Sequence, residues 1–423
     1  MCDLRFSVYK HSLVYDQRLI NRFFIVLKDE SANIAAWTDF HKYIRPWKSK
    51  RAVSVMSTAE NRFYSIVPLL NYVFFDKYHI DKLTDITASM VQEYLNDYGL
   101  CRLIKDNEYT VRGEAMVDQT CRFVIDFLEN MIDDCSEAKL KKEELYREEE
   151  VYSKNQRRYV KKKVPAFKVI YKPSNKETLR DIPDKAFKIL MDEIIENYRS
   201  ILGLAILGAF AGVRPSEACN VRRADSALGQ GILFTSIDGE IEEIKIDLRQ
   251  KLNLRSDLKD VGGIKKPRTQ RVYHAFLDVF CECYNLYMEY MQGRKYEKDY
   301  GAFSVNRNGK AMTYDNYNQI FKKAVASAKV KMKSSEDPEV INYGFLLDEY
   351  SLGMHIFRHW FSVQLTLRGE DVAGLMYWRG DKKPESALTY IMNKSDLERE
   401  YSKVVNRIFD YNQWRAMKIY GTE

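Results

Sequence analysis

Residues 200–217 read SILGLAILGAFAGVRPSE, and the fold is decided there. Residues 200–211 are apolar on every side, so a helix formed from them must be buried on every side. Gly212 ends that helix and Arg214 follows almost at once. Pro215 suits the first turn of a new helix, which would set Glu217 close enough to orient the Arg214 guanidinium. A cation fixed at the end of a core helix offers planar, paired donors to a phosphate. A purely structural Arg–Glu ion pair fits the same residues.

Outward from this point, Phe187, Leu190, Met191, Ile194 and Tyr198 form an apolar stripe after Pro183, and predict the preceding helix. Short strands are expected at 231–236, 241–248 and 270–275, with a turn at Gly262-Gly263. Further helices are expected at 275–292, 313–330, 354–368 and 386–392, with one more near the C-terminus. Towards the N-terminus, Phe63, Ile66, Val67, Leu70, Val73 and Phe74 recur at helical spacing around Pro68, which should kink or divide that helix. Thr87 and Gly99 bracket a second helix as N-cap and C-cap. Cys121, Val124, Ile125, Leu128 and Ile132 mark a third. The resulting division is 1–45, a helix-prone extension or arm; 46–140, a helical bundle; 141–175, a charged linker; and 176–423, a larger domain. The expected class is mainly α with a small antiparallel β-sheet in the larger domain.

With 423 residues, 45% of them hydrophobic, the chain can build real cores and is not globally disordered. Its net charge of +7 matters only if the cations cluster. They do in 151–175, where Arg157, Arg158, Lys161, Lys162 and Lys163 are among eight basic residues that meet no acidic one. Such a run is either a solvated linker or a segment that lies across a phosphate backbone. The seven cysteines lack zinc-ligand spacing and read as reduced thiols of a cytoplasmic protein. The first residues, MCDLRFSVYK, do not read as a signal peptide, and no run of 18 apolar residues predicts a membrane span.

Three further clusters bear on chemistry. His355 and Arg358, in HIFRHW, share one face of the helix expected at 354–368, pairing a proton carrier with a permanent cation. His355 and His359 have metal-ligand spacing, but Ile356 stands where a metalloprotease needs Glu, so no metal site is expected. Lys265 and Lys266 lie in KKPRTQRV between predicted strands, where a lysine can reach into a groove or merely sit in solvent. Tyr390, in SALTYI, is one of 29 tyrosines, most of which must serve packing.

The order Arg, Lys, His-x-x-Arg, Tyr resembles the tyrosine recombinase (phage integrase) family. Arg214 with Glu217 looks like the family's first arginine box. His355 to Arg358, continuing through Phe361 and Leu365 to Gly369, looks like the second. Tyr390 follows Arg358 by 32 residues, a gap typical of the family's bacterial members. Lys266, with Arg271 five residues on, looks like the family's β-hairpin lysine, and Lys265 is the fallback. The segment LTDITASMVQEYLNDYGL resembles part of the family's core-binding domain. One position departs: the residue after Gly380 is Asp381, where the family usually has His or Trp. A carboxylate beside a phosphate is repulsive unless protonated or paired. Asp381 could instead brace Arg358 or Lys266, or Trp378 or Arg379 could fill the role.

The resemblance implies a DNA strand-breaking and rejoining enzyme. Tyr390 would attack the scissile phosphate, Arg214 and Arg358 would clamp its non-bridging oxygens, His355 would donate to one oxygen, and Lys266 would protonate the leaving 5′-oxygen. It implies no cofactor, consistent with the lack of a GxxxxGK[ST] loop. Its partners would be double-stranded DNA, three further copies in a tetramer joined through the C-terminal tail, and a directionality factor. Other readings are a type IB topoisomerase, a telomere resolvase, or a non-catalytic DNA-binding protein on the same fold.

Overall fold

A computed structural model describes residues 4–45, 56–107, 110–153, 158–171, 178–179, 181–381 and 384. The side chains of 56–59, 151–153, 162 and 178–179 lie outside that description. The helices expected at 386–392 and near the C-terminus, and Tyr390 itself, fall outside it as well. The chain divides into two compact units, 1–13 with 20–175 and 14–19 with 176–423. No single helix among the described residues is long and apolar enough to cross a membrane.

The first unit corrects the expectation of a helical extension over 1–45. Strands β1 (Arg5–Tyr15), β2 (Arg18–Lys28) and β3 (Ile34–Trp37) form an antiparallel sheet there. Asp16 and Gln17 both take positive φ, 48° and 57°. A two-residue turn of that hand matches the twist of paired strands. The run Phe23–Leu27 favours a strand through its aromatic and β-branched residues, and Phe23, Ile25 and Val26 are buried. Asn71 ties β1 to the end of α1 (Met56–Asn71), accepting from the Phe6 amide at 2.8 Å and donating to its carbonyl at 3.0 Å. Pro68 is accommodated inside α1, which does not divide there but ends in a wide turn at Tyr72–Asp76. Helices α2 (Ala88–Gly99) and α3 (Glu114–Asp134) complete the bundle, and Thr87 caps α2 as expected. Gly99 is no left-handed cap. A Cβ there would lie 2.2 Å from the Ile170 carbonyl oxygen, so the glycine serves close passage of the chain.

The expected basic linker is also corrected. After the short helix α4 (Lys142–Leu145), strands β4 (Tyr146–Ser153) and β5 (Arg158–Pro165) form an antiparallel hairpin. Its register sets Glu148 opposite Lys163, Glu149 opposite Lys162 and Glu150 opposite Lys161. Residues directly opposite share a face of the pair. Reading 151–175 alone hid the three glutamates, which stand just before it. Arg157 lies outside the described residues, and Arg158 sits opposite Ser153.

In the second unit, β6 (Thr178–Leu179) precedes α5 (Asp184–Asn197), α6 (Leu202–Ala211) and the one-turn α7 (Pro215–Ala218). Strands β7 (Ile232–Ile237), β8 (Glu240–Leu248) and β9 (Arg268–Arg271) form an antiparallel sheet in that order. Asp238-Gly239, both at positive φ, makes the tight turn between β7 and β8. Then come α8 (Leu277–Gln292), α9 (Tyr314–Lys333), α10 (Pro338–Glu349), β10 (Ser351–Leu352), α11 (Ile356–Leu367) and α12 (Val372–Arg379). The class is therefore mainly α, with small sheets in both units rather than only in the larger one.

Every residue of α6 is buried, as an all-apolar helix requires. Helix α11 crosses it through Phe357, Phe361 and Leu365, spaced four apart and all buried. The glycines of α6 permit this approach: a Cβ on Gly208 would lie 2.8 Å from that of Phe357. Gly212, at φ 61°, ends the helix, and a Cβ there would lie 2.6 Å from the Phe361 ring. An adjoining part of the same face of α11 is fixed to α5, where Trp360 stacks on Phe187 at 4.1 Å and donates to Asp184 at 2.8 Å. Gly212→Ala combines left-handed strain with overpacking and should destabilise by about 2–4 kcal/mol in urea denaturation. A loss under about 0.5 kcal/mol would contradict the packing argument.

Candidate anion-binding site

The α6–α11 contact delivers two arginines to one place. Arg214 stands in extended backbone between the Gly212 turn and Pro215, at the N-cap of α7. Arg358 lies one residue after Phe357, so the packing of the Phe357–Phe361 face buries it; it is 4% exposed. Its Nη1 donates to the Gly212 carbonyl, and to the Arg379 carbonyl at 3.0 Å. These carbonyls belong to left-handed or terminal helix turns, whose last acceptors need partners.

Glu217 is the counterweight. Its side chain is wholly buried and accepts from Arg214 Nη1 at 3.2 Å, Arg268 Nη2 at 2.9 Å and the Lys265 amide at 3.2 Å. Burial opposes its charge, but the Arg268 hydrogen bond and charge, then Arg214, outweigh it and hold the carboxyl below its usual range. The Lys265 contact joins the 249–267 loop to α7. That loop is tied there twice more, by Ser216 Oγ to the Gly263 carbonyl at 3.0 Å and Asn220 Nδ2 to the Gly262 carbonyl at 3.0 Å. The two lysines stand in this long connection rather than at the tip of a tight hairpin.

Lys265 offers its backbone to Glu217, whereas the Lys266 ammonium reaches Asp381 Oδ1 at 3.7 Å. Arg268 donates to the Lys266 carbonyl at 2.9 Å and so helps aim it. Desolvation first lowers the Lys266 pKa; Asp381 opposes that shift and Arg214 and Arg358 reinforce it. A lysine biased towards its neutral form releases its proton more readily.

Asp381 is placed by the end of α12. Gly380, at φ 63°, takes the left-handed position, and the Asp381 amide donates back to the Met376 carbonyl at 2.9 Å. Gly380 is also required for space, since a Cβ there would lie 2.3 Å from Arg268 Nε. The Asp381 carboxylate is 7% exposed and accepts through Oδ1 from Arg214 Nη2 at 2.6 Å and Arg358 Nη2 at 3.0 Å. Oδ2 lies 3.2 Å from Arg379 Nε. Burial opposes its ionisation, but Arg358, Arg379 and Arg214 together keep the carboxyl below its usual range. Burial, then Arg214 and Arg379, works against the Arg358 charge, with Asp381 offsetting them. An arginine keeps its proton even so.

His355 begins the turn into α11 and is exposed, with its imidazole near enough to feel the cluster. Desolvation, then Arg358, Arg214 and Lys265, lowers its pKa and favours the neutral ring. Among the sequence-derived candidates, Arg214, Glu217, Lys266, Arg358 and Asp381 thus meet in one cluster with His355 beside it. Tyr390 is outside the described residues. Arg271 does not join them; it pairs with Glu243 at 2.5 Å on the sheet surface. Arg268 was not foreseen as part of the site, because its partner Glu217 is 51 residues away and nothing local signals that pairing. No group of three or more metal-ligating side chains occurs among the described residues.

Neither a protein-family model nor a curated protein matches the chain. Solved structures that resemble it are consistently tyrosine recombinases and integrases, at low identity. The Tn1549 transposon integrase in complex with transposon right-end DNA aligns at TM-score 0.46 and 14% identity, covering 84% of this chain and 95% of that one. The XerH site-specific recombinase bound to difH in a pre-cleavage complex gives 0.42 and 14%, over 78% and 75%. A lambda integrase dimer bound to a COC′ core site gives 0.42 and 13%, over 81% and 90%.

Glu217→Gln removes one buried partner of a cationic cluster and should cost about 3 kcal/mol at neutral pH. Because the folded pKa lies below the unfolded value, this contribution is present above about pH 4.3 and is lost as pH falls through the folded pKa. Thermal unfolding of the two proteins should therefore differ steadily from pH 5 to 7, in the ~3 kcal/mol sense, and the gap should shrink progressively as pH falls below about 4.3. A gap that stays constant as pH falls from about 5 to well below about 4.3 would refute the assignment of this contribution to the Glu217 charge.

Proposed function

We propose that this chain is a site-specific DNA recombinase that breaks and rejoins DNA through Tyr390. The observation that carries the reading is the convergence of Arg214, Arg358 and Lys266, from three separate elements, on one anionic oxygen. Two guanidiniums and an ammonium around one oxygen suit a phosphodiester whose negative charge grows on its non-bridging oxygens. Fixed donors of this kind cost no reorganisation when the reaction occurs.

In this reading the Tyr390 oxygen attacks the phosphorus while the bond to the 5′-oxygen breaks. Lys266 gives its proton to that leaving oxygen, and His355, biased neutral, takes the phenol proton. The products are a 3′-phosphotyrosine and a free 5′-hydroxyl. The phosphodiester bond energy is kept in the adduct, so a 5′-hydroxyl can reverse the step without ATP. The first unit would be the core-binding domain on duplex DNA, and the second the catalytic domain. Assembly would be a tetramer on paired sites joined by the C-terminal tail, with a directionality factor as a further partner and a mobile element as the setting. Lys161 and Lys163 contribute less to DNA affinity than their charge suggests, since each stands in register with a glutamate across the hairpin.

The test is covalent capture. Labelled nicked duplexes, tiled across the DNA flanking the gene, are incubated with wild type and Tyr390→Phe and run on a denaturing gel. A labelled protein band in wild type alone is expected. Tight, salt-sensitive binding without an adduct on any duplex would replace this reading with a non-catalytic DNA-binding protein. Relaxation of supercoiled plasmid by a monomer, without site preference, would point to a topoisomerase instead.

A further inference from the structure

We propose that Asp381 is a built-in occupant of the anion site: its carboxylate holds the place of a phosphate oxygen among Arg214, Arg358 and Lys266 and is exchanged for a phosphodiester on binding. The inference rests on the reading that this cluster receives a phosphate.

The contacts are unequal in a telling way. Oδ1 takes all three cations, at 2.6, 3.0 and 3.7 Å. Oδ2 accepts no hydrogen bond among the described residues and only faces Arg379 Nε at 3.2 Å. A carboxylate built solely as a brace would engage both oxygens. Here one oxygen is bound as a single phosphoryl oxygen would be.

The cations do not depend on Asp381 for their positions. Arg214 is held by Glu217, and Arg358 by the Gly212 and Arg379 carbonyls. The loop bearing Lys266 is held through Lys265, Ser216 and Asn220. Each cation therefore keeps an anchor when the carboxylate leaves. Rotation about its χ1 would withdraw the Asp381 carboxylate without disturbing the Gly380 turn or the backbone bond of the Asp381 amide, and an incoming phosphate would replace the ion pairs it gives up.

Charge favours exchange over joint occupancy. Among the described residues, Arg214, Lys266, Arg268 and Arg358 share the carboxylates of Glu217 and Asp381. A phosphodiester carries one negative charge, so replacing the carboxylate conserves the balance of the cluster. Both anions on one donor set would repel strongly at such separations. The wild-type site is therefore self-occupied, and its affinity for external anions is suppressed.

Inorganic sulfate serves as the probe, titrated by calorimetry into the full chain without DNA. Asp381→Asn and Asp381→Ser should each bind sulfate at least about tenfold more tightly than wild type. Adding Arg214→Gln to either should abolish the gain, and circular dichroism checks that each variant is folded. Equal affinity in wild type and both variants, or no sulfate binding by any of them, overturns the proposal. The assay involves neither Tyr390 nor DNA. A sulfate gain without a covalent adduct would fault the strand-breaking reading alone, and an adduct without a gain would fault only the exchange.

Discussion

Like-charge repulsion in a buried place is the constraint on which this protein's second unit is built. Arg214, Arg268, Arg358 and Arg379 all lie within reach of two carboxylates and are nearly excluded from water. Two guanidinium charges about 5 Å apart repel by about 3 kcal/mol at an effective dielectric near 20. Several such pairs would exceed a typical domain's stability if unopposed. Glu217 opposes them from full burial, Asp381 pairs with Arg214, Arg358 and Arg379, and the backbone carbonyls of Gly212 and Arg379 solvate the Arg358 guanidinium. Those carbonyls are available only because the helices end there, so the helix boundaries and the charge balance are one problem with one solution.

Parts of this arrangement are legible in the sequence because they rest on local physics. An all-apolar segment ending in Gly, then Arg and Pro, can hardly be placed elsewhere than at the end of a core helix. His355 and Arg358 follow from helical spacing. The strands near 232–248 were expected from their sequence, and the structure joins them by a tight Asp-Gly turn. Helix α10 was not among the expected helices; the structure caps it with Asp337, which accepts from the Glu339 amide, and sets Pro338 in its first turn. Other parts required the folded chain. Arg268 matters because Glu217 is beside it, a relation with no sequence trace. Asp381 looked like a defect beside a phosphate, and only the cations around it turn it into a partner.

The first unit shows the complementary failure. Residues 151–175 form a bare cationic run along the sequence, with three glutamates standing just before them. Antiparallel pairing then set Glu148, Glu149 and Glu150 opposite the three central lysines. A β-hairpin converts sequence separation into contact, so charge counted along the chain is a poor measure of charge on the surface. Much the same holds for residues 4–45. Helix-compatible composition gave way there to a left-handed two-residue turn and to the burial of Phe6, Phe23, Ile25 and Val26.

The cost of gathering cations is met during folding, by the packing of α6 on α11 and by Glu217, not at the moment an anion arrives. That ordering matters for chemistry, because donors already fixed towards one point stabilise developing charge without rearrangement. It also explains why the core around the site is so intolerant of volume. Gly208 and Gly212 meet Phe357 and Phe361 at distances that leave no room for a methyl group. A shift of α11 along α6 would carry Arg358 away from the Gly212 carbonyl and unbalance every cation that shares Asp381. The tight apolar contact and the charged cluster are therefore coupled: the first sets the geometry, and the second is tolerable only at that geometry.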